Sequence, residues 1–354
     1  MKANAVAPGL ALAMTQRVTR SSSKAALADR VRRLTGAERV SLEERVQELW
    51  SGYGELWRAE LEFANEPPCS VIVKSVQAPP AEPRDSAAER SRRRKLRSYE
   101  VEAAFYTRFS SRCDAGCRTP RLVACDGRAG AALFVLEDLD EAGFSARRRR
   151  VSRRDVDACL SWLAAFHATF LGVMPDGLWK VGCYWHLGTR PDELAAMADV
   201  ELRRAAPAID LKLRGARFVT LVHGDAKLEN FCFDEPGSRV AAVDFQYVGA
   251  GVGVKDVAYF LSSCFDGAEC AAEARRCLDY YFSELRRALA GRLADAELVT
   301  LEGEWRALYP YAWADFQRFL SGWAPAYARD SYAIELTAQV LHELNAVARS
   351  SSSA

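Results

Sequence analysis

The sequence lacks several features that assign a protein to common functional classes. No apolar run reaches the roughly 20 residues of a membrane helix, and the apolar run at residues 4–14 is interrupted by Pro8 and Gly9. An excess of one charge is also lacking, because 48 basic residues are balanced by 47 acidic ones, a net charge of +1. No global field therefore attracts nucleic acid or acidic lipid. We expect no membrane span, no nucleic-acid partner and no obligate protein partner.

Paired metal-binding cysteines are lacking as well. Cys113 and Cys117 lie closest together among the ten cysteines, with no second cysteine pair or nearby histidine to complete a zinc site. Reduced thiols are therefore expected, which favours a cytoplasmic location. The first 28 residues, basic and serine-bearing with no acid, also resemble an organelle transit peptide; a disordered or lightly helical extension is the alternative.

The length of 354 residues predicts two lobes rather than one core. We predict an extension over residues 1–40, an N-lobe over 41–140 and a C-lobe over 141–348. Helical periodicity predominates beyond residue 150. The predicted fold class is therefore α+β.

The N-lobe sequence predicts a small antiparallel sheet. Glycine turns and β-branched runs from about residue 46, and again over residues 121–139, are typical of strands. Residues 77–98 lack apolar periodicity and predict an exposed connector. A helix is expected to follow it, because Val101, Phe105 and other apolar residues share one helical stripe.

One stretch, HGDAKLEN, places polar residues between two apolar runs, RFVTLV and RVAAVDF. Phosphoryl transfer needs a base or orienting group for the acceptor hydroxyl, oxygen ligands for magnesium, and positive charge on the phosphates. Asp225, Asn230 and Lys227 supply these three types of group within six residues. If the two apolar runs form a hairpin, Asp244 returns to the same place as a second metal ligand.

These segments carry a family resemblance. HGDAKLEN followed by VDFQ resembles the catalytic and metal-binding segments of the aminoglycoside/choline kinase-like phosphotransferases, distant relatives of protein kinases. DFQYVGAGVGVKDVAYFL is most similar to the ecdysteroid-kinase-like branch, also called CHK kinase-like. The resemblance covers roughly residues 45–340 and implies the bilobal protein-kinase-like fold, with ATP between a five-stranded N-lobe sheet and a helical C-lobe.

The resemblance also implies roles for individual residues. Asp225 would be the catalytic base, and Asn230 and Asp244 would be the magnesium ligands. Lys74, in VIVK, would bind the α- and β-phosphates of ATP, and Lys227 is expected near the transferred phosphate.

Further nucleotide contacts follow from the same resemblance. The ion-pair partner of Lys74 would be Glu102, with Glu100 as the competitor. Two glycines of SGYGELW, Gly52 and Gly54, would form a turn over the phosphates. In FVLEDL, the backbone near Glu137 and Leu139 would contact adenine.

Two missing motifs narrow the function. There is no Walker loop of the Gly-x-x-x-x-Gly-Lys-Ser type, and no activation segment ending in Ala-Pro-Glu. We predict an enzyme that uses ATP and Mg²⁺ to phosphorylate a hydroxyl of a small-molecule acceptor, which is sterol-like, an amino alcohol or of sugar type. The alternatives are a nucleotide-binding pseudokinase scaffold and, less favoured, a protein kinase.

Other polar and aromatic residues are expected to be structural. His223 is expected to brace the loop by hydrogen bonding, and His167, on an apolar stripe, to be a satisfied core histidine. The aromatic stripe of YPYAWADFQRFLSGW predicts core packing, with a wall of the acceptor pocket as the alternative. The loop GCYWHLGTRPDEL is another candidate wall.

Overall fold

The computed structural model describes residues 24–49, 52–78, 86–128 and 130–352. Ser51 and most of the predicted transit-type segment lie outside these ranges. Two compact units are present: the first joins the residues up to 78 with Arg121–Asp138, and the second joins residues 86–120 with those from Leu139 onward. No helix in these ranges has both the length and the apolar character needed to cross a membrane.

A five-stranded antiparallel sheet forms most of the first unit, in the spatial order β1-β2-β3-β5-β4. The strands are β1 (Arg39–Glu48), β2 (Gly54–Phe63), β3 (Glu66–Gln77), β4 (Leu122–Arg128) and β5 (Ala131–Glu137). Val71 and Val73 on one face of β3 pack in a buried cluster with Val31 of helix α1, residues 24–35. Because side chains alternate along a strand, Lys74 lies on the opposite face. The predicted five-stranded sheet is confirmed.

Helices dominate the second unit, and four three-residue strands interrupt them. The helices are α2 (Ser86–Arg108), α3 (Arg153–Thr169), α4 (Pro191–Ala195), α5 (Val200–Arg214), α6 (Val254–Cys264), α7 (Gly267–Leu289), α8 (Asp295–Trp323) and α9 (Ser331–Ser352). The strands are β6 (Thr220–Val222), β7 (Phe231–Phe233), β8 (Val240–Ala242) and β9 (Gly249–Gly251). The predicted α+β class, a sheet followed by a mainly helical part, is confirmed.

Helix α2 corrects the predicted connector at residues 77–98. Residues 79–85 lie outside the described ranges, but the chain is helical from Ser86. The first half of α2 has no apolar stripe because it is rich in arginine, and tertiary bonds such as the one from Arg90 Nε to Asp192 at 3.0 Å hold it. Farther along, Phe105 stacks on Phe245 with ring centroids 4.0 Å apart. Residues 86–120 thus pack with the second unit, although the predicted N-lobe ran from 41 to 140.

Candidate active site

Two short antiparallel ladders position the loop HGDAKLEN. The strand before it, β6, pairs with β9, and the strand after it, β7, pairs with β8. The runs RFVTLV and RVAAVDF therefore do not form a hairpin with each other, so the condition set for the return of Asp244 is not met in that form. The physical reason is that β7 lies between them and reaches β8 through a shorter connection, which Asp234 closes by accepting the N–H of Ser238 at 2.7 Å.

Val243 brings Asp244 to the loop by another route. The N–H of Val243 donates to the backbone oxygen of Asn230 at 2.9 Å, and its carbonyl lies 3.0 Å from Nε2 of His223. Asp244 follows directly, with a φ of 67°, a left-handed conformation that aspartate adopts more readily than most residues. The predicted return of Asp244 to the loop is thus achieved by backbone hydrogen bonds on either side of the loop.

Asp225 and Asn230 are joined by two hydrogen bonds. Nδ2 of Asn230 donates to the backbone oxygen of Asp225 at 2.7 Å and to its Oδ2 at 3.2 Å. Nζ of Lys227 lies 4.0 Å from the same Oδ2, on a side chain that is 38% exposed. The bonds made by Nδ2 leave Oδ1 of Asn230 as the acceptor atom of the amide, which is the kind of oxygen that magnesium binds.

The carboxyl group of Asp225 titrates near neutral pH. Burial is the largest cause and raises the pKa of Asp225 to about 7. The positive charge of Lys227 opposes this rise, the charge of Asp244 adds to it, and hydrogen bonds from Asn230 and Tyr259 oppose it. A carboxyl group with such a pKa can accept the proton of a hydroxyl and release it again.

The carboxylate of Asp256 binds the backbone at the start of the loop HGDAKLEN. Its Oδ2 accepts the backbone N–H of His223 at 2.6 Å, and its Oδ1 accepts that of Gly224 at 2.9 Å. Nε2 of His167 lies 3.1 Å from Oδ2, and Nδ1 of His167 lies 2.8 Å from the hydroxyl of Tyr281. All these groups are buried. His167 is therefore a satisfied core histidine, as predicted, and it also supports Asp256.

Both ring nitrogens of His223 are used inside the loop. Nδ1 accepts the N–H of Asp225 at 3.3 Å, so Nε2 carries the proton that is donated to the carbonyl of Val243. Burial lowers the pKa of His223 and favours this neutral form. The predicted bracing role of His223 is confirmed by these contacts.

Gly224 is a position where only glycine fits. Its φ is +79°, and a Cβ added there would lie 2.2 Å from the backbone oxygen of Tyr247. The arginine found here in the protein-kinase pattern is therefore excluded by the backbone of this chain.

Tyrosines next to Asp225 were not predicted as site residues. The rings of Tyr259, in α6, and Tyr184 have centroids 5.5 Å apart, and the pKa of Tyr259 is raised by burial and then by the charge of Asp225. The N–H of Tyr184 donates to the carbonyl of Gly224 at 3.1 Å, and the rings of Tyr184 and Tyr247 have centroids 5.8 Å apart. In the sequence, Tyr259 lies in the segment DVAYFL and Tyr184 lies in the loop GCYWHLGTRPDEL. That loop was predicted only as a candidate wall of the acceptor pocket.

Comparison with known proteins gives the class of the site. The description "Phosphotransferase enzyme family" belongs to the family that matches residues 84–292, more than half of the chain. The chain belongs to this family. The predicted enzyme class, a phosphotransferase, is thereby confirmed.

Solved structures similar to this phosphotransferase have low sequence identity. A microcompartment-associated aminopropanol kinase is 15% identical, with 85% of this chain and 90% of that chain covered and a TM-score of 0.47. An ethanolamine kinase from Plasmodium vivax is 9% identical, with coverages of 85% and 82% and a TM-score of 0.47. The GDP complex of aminoglycoside 2'-phosphotransferase-IIIa is 11% identical, with coverages of 86% and 92% and a TM-score of 0.44. No curated protein matches the sequence.

The lysine and glutamates of the predicted nucleotide site have distinct environments. Lys74 in β3 of the phosphotransferase is 6% exposed, and Glu102 in α2 is 1% exposed. Glu100 is exposed and pairs with Arg97 at 3.0 Å. Burial raises the pKa of Tyr106, and the charges of Glu102 and Asp244 raise it further. Burial thus favours Glu102 over Glu100 as a site residue of the phosphotransferase.

Gly52 and Gly54, which are predicted to form the turn over the phosphates, favour glycine for different reasons. Gly54 has a φ of +137°, and a Cβ there would lie 1.9 Å from the backbone oxygen of Ser75. Gly54 is therefore required for the close approach of β2 to β3. Gly52 has a φ of +71° with open space around it, so only its backbone conformation favours glycine.

Some backbone groups at the predicted adenine contact are already hydrogen-bonded. The N–H of Glu137 donates to the carbonyl of Arg121 at 2.9 Å, and the carbonyl of Leu139 accepts the N–H of Phe144 at 2.8 Å. The adenine contact predicted for the phosphotransferase thus remains a prediction that concerns the other backbone groups of Glu137 and Leu139.

Proposed function

We propose that this phosphotransferase uses ATP and Mg²⁺ to phosphorylate a hydroxyl group of a small molecule. The observation that carries this proposal is the buried pair of Asp225 and Asn230, with Lys227 and Asp244 beside it. These residues supply a base that titrates near pH 7, oxygen donors for a cation and a positive charge.

The donor set fits a magnesium ion. Magnesium prefers oxygen ligands, and it is usually held by one or two carboxylates together with phosphate oxygens and waters. Oδ1 of Asn230 and the carboxylate of Asp244 are donors of this type. Among the described residues, no group of three His, Cys, Asp or Glu side chains is arranged to hold a metal without such help. When bound, the ion would neutralise charge on the phosphates of ATP.

The side chains around Asp225 support its role as the base. Nδ2 of Asn230 donates to Oδ2 of Asp225 at 3.2 Å, which orients the carboxyl group and favours its charged form. Oδ1 of Asp225 would accept the proton of the acceptor hydroxyl while the hydroxyl oxygen attacks the γ-phosphorus, the bond from that phosphorus to the bridging oxygen breaks, and ADP leaves. Lys227, partly exposed, would offset charge on the transferred group.

The family resemblance assigns nucleotide binding to residues outside the loop HGDAKLEN. We propose that Lys74, paired with Glu102, binds the α- and β-phosphates, with Gly52 and Gly54 in a turn near them. The acceptor remains one of the predicted classes: sterol-like, an amino alcohol or of sugar type. Assignment to the ecdysteroid-kinase-like branch is part of this proposal.

ADP release from ATP tests the proposal. The full chain is incubated with ATP, with magnesium or with a chelator, and with a panel of sterols, amino alcohols, sugars and aminoglycosides. Stimulation by one compound class that requires magnesium supports a small-molecule kinase. ATP binding without any stimulated turnover favours a scaffold, and labelled phosphate appearing on protein instead of on the alcohols identifies a protein kinase.

A further inference from the structure

Two arginines share one glutamate in the second unit. Nη1 of Arg190 lies 2.9 Å from Oε1 of Glu193, and Nη2 of Arg94 lies 3.8 Å from the same oxygen. One carboxylate therefore faces two guanidinium groups, which leaves one positive charge in excess. Burial lowers the pKa of the Arg94 guanidinium, and the positive charge of Arg190 lowers it further.

Arg190 retains hydrogen-bond donors. Its Nε donates to the backbone oxygen of Tyr184 at 2.6 Å, and its Nη1 donates to Glu193. Nη2 of Arg190 makes no hydrogen bond to the part of the chain that the structure describes. A guanidinium group with an unused edge is suited to a carboxylate.

Tyr184 and Tyr247 connect the two arginines to the catalytic loop. The guanidinium of Arg190 lies 5.8 Å from the ring centre of Tyr184, and the N–H of Tyr184 donates to the carbonyl of Gly224, directly before Asp225, at 3.1 Å. Burial raises the pKa of Tyr247 to about 12; Arg190 opposes this rise and Asp225 adds to it. The Tyr247 hydroxyl thus lies within the electrostatic reach of both the arginine pair and the base.

Two aspartates in the segments around the arginine pair, Asp192 and Asp315, already have cationic partners. Asp192 accepts from Arg90 at 3.0 Å. Asp315 accepts from Lys255 at 3.0 Å and pairs with Arg318 at 2.9 Å. Neither Asp192 nor Asp315 therefore offers an unshared carboxylate to a positively charged acceptor, which the excess charge of the arginine pair would repel.

We propose that Arg94 and Arg190 bind a carboxylate of the acceptor, so that the acceptor is a hydroxy acid with an apolar body. This proposal rests on the proposed kinase function and narrows its acceptor class. The rings of Tyr184 and Tyr247 offer the surface for the apolar body, between the arginine pair and Asp225. A cationic amino alcohol or aminoglycoside is disfavoured by the same charges.

Matched probe compounds test this assignment. One set consists of 4-(hydroxymethyl)benzoate, its methyl ester and 4-(hydroxymethyl)benzylamine; two further sets carry the same groups on cyclohexane and on naphthalene. With the full chain and Mg-ATP, we expect the acid of at least one set to have a kcat/KM about tenfold or more above its ester and amine. Binding of each compound is measured by calorimetry in parallel.

Arginine variants locate the effect. Arg94→Gln and Arg190→Lys should each reduce the acid-to-ester ratio about tenfold, mainly by raising KM for the acid. Two variants are needed because Arg190 is buried and also holds the backbone of Tyr184. Arg93→Gln is the matched control, because Arg93 is exposed on the same helix and pairs with Glu89; it should keep the ratio of the wild type.

The outcomes separate the two proposals. An ester or amine that equals or exceeds its acid in every set overturns the anion site, as does a preference that survives in both arginine variants. If no compound is phosphorylated, acids that also fail to bind overturn the anion site. If acids bind through the two arginines but no conditions yield transfer from ATP, the proposed kinase function fails and the anion site stands.

Discussion

The side-chain amide of Asn230 is bonded to Asp225 twice, with Nδ2 at 2.7 Å from the backbone oxygen and at 3.2 Å from Oδ2. One residue thus fixes both the backbone and the carboxyl group of the proposed base. Because Nδ2 makes these bonds, Oδ1 is the atom that remains for a cation. In the proposed function, orientation of the base and binding of the metal would therefore be coupled through a single amide.

Changing Asn230 to Asp separates these two roles. Asn230→Asp keeps an oxygen for the metal but replaces the donor by a second carboxylate next to Asp225, and like charges raise a carboxyl pKa. We expect kcat to fall roughly a hundredfold and the pH of half-maximal kcat to rise. A pH profile of kcat measures both effects. Asn65→Asp, at an exposed turn, is the control, and an unshifted profile in Asn230→Asp would contradict the coupling.

The pKa of Asp225 predicts a pH dependence of stability in metal-free protein. The folded-state pKa of about 7 lies above the ordinary value of 3.8, so the folded state holds a proton that the unfolded state has lost. Its contribution to stability is full below about pH 4 and is lost as the pH rises to about 7, by up to about 4 kcal/mol.

Asp225→Asn should remove this loss. Urea denaturation of the two proteins with a chelator, from about pH 4 to about pH 8, measures the difference in unfolding free energy. We expect the unfolding free energy of the variant to increase relative to that of the wild type as the pH rises to about 7. Parallel curves would show that Asp225 does not titrate in this range.

Gly224→Ala tests the tight turn before the base. The substitution meets both an unfavourable φ of +79° and a Cβ contact of 2.2 Å with the backbone oxygen of Tyr247. Gly172 has a similar φ of +75° with nothing within 4 Å of the added Cβ, so Gly172→Ala carries the conformational cost alone, about 1–3 kcal/mol. Chemical denaturation should show a larger loss of unfolding free energy for Gly224→Ala than for Gly172→Ala. Equal losses would contradict the proposed clash with Tyr247.

Asp256 is predicted to stabilise the loop through its three donors. Asp256→Ala leaves the N–H groups of His223 and Gly224 and the ring of His167 without this acceptor, which should cost about 3–5 kcal/mol. Asp256→Asn retains one oxygen and should cost less. Unfolding free energies and kcat are measured for both, with Asp279→Ala on the exposed surface of α7 as control; two variants as stable as that control would rule out the role.

The sheet and the loop HGDAKLEN could be predicted from the sequence because their signals are local. Alternation of side chains marks β3 and places Lys74 opposite Val71 and Val73. Asp225 and Asn230 lie five residues apart, so their proximity required only that the loop be short.

Other features depend on distant contacts and were missed. The first half of α2 is rich in arginine and has no apolar periodicity to reveal a helix, and tertiary partners such as Asp192, which binds Arg90, cannot be read from the sequence. The pairing of β6 with β9 and of β7 with β8 was missed because strands of three residues carry too short a pattern to fix a partner. Tyr184 reaches Gly224 only through a backbone hydrogen bond between separate segments.

Transfer from ATP by wild type and Asp225→Asn, compared side by side, tests the central claim most directly. Magnesium-dependent ADP release is measured at about pH 8, where Asp225 is charged, with the best acceptor from the panel and with Asp279→Asn as the control for loss of an exposed aspartate. The account predicts acceptor-stimulated release in the wild type and the control, reduced by a factor of about 100 or more in Asp225→Asn. Equal release from wild type and Asp225→Asn would contradict the role of Asp225 as the base.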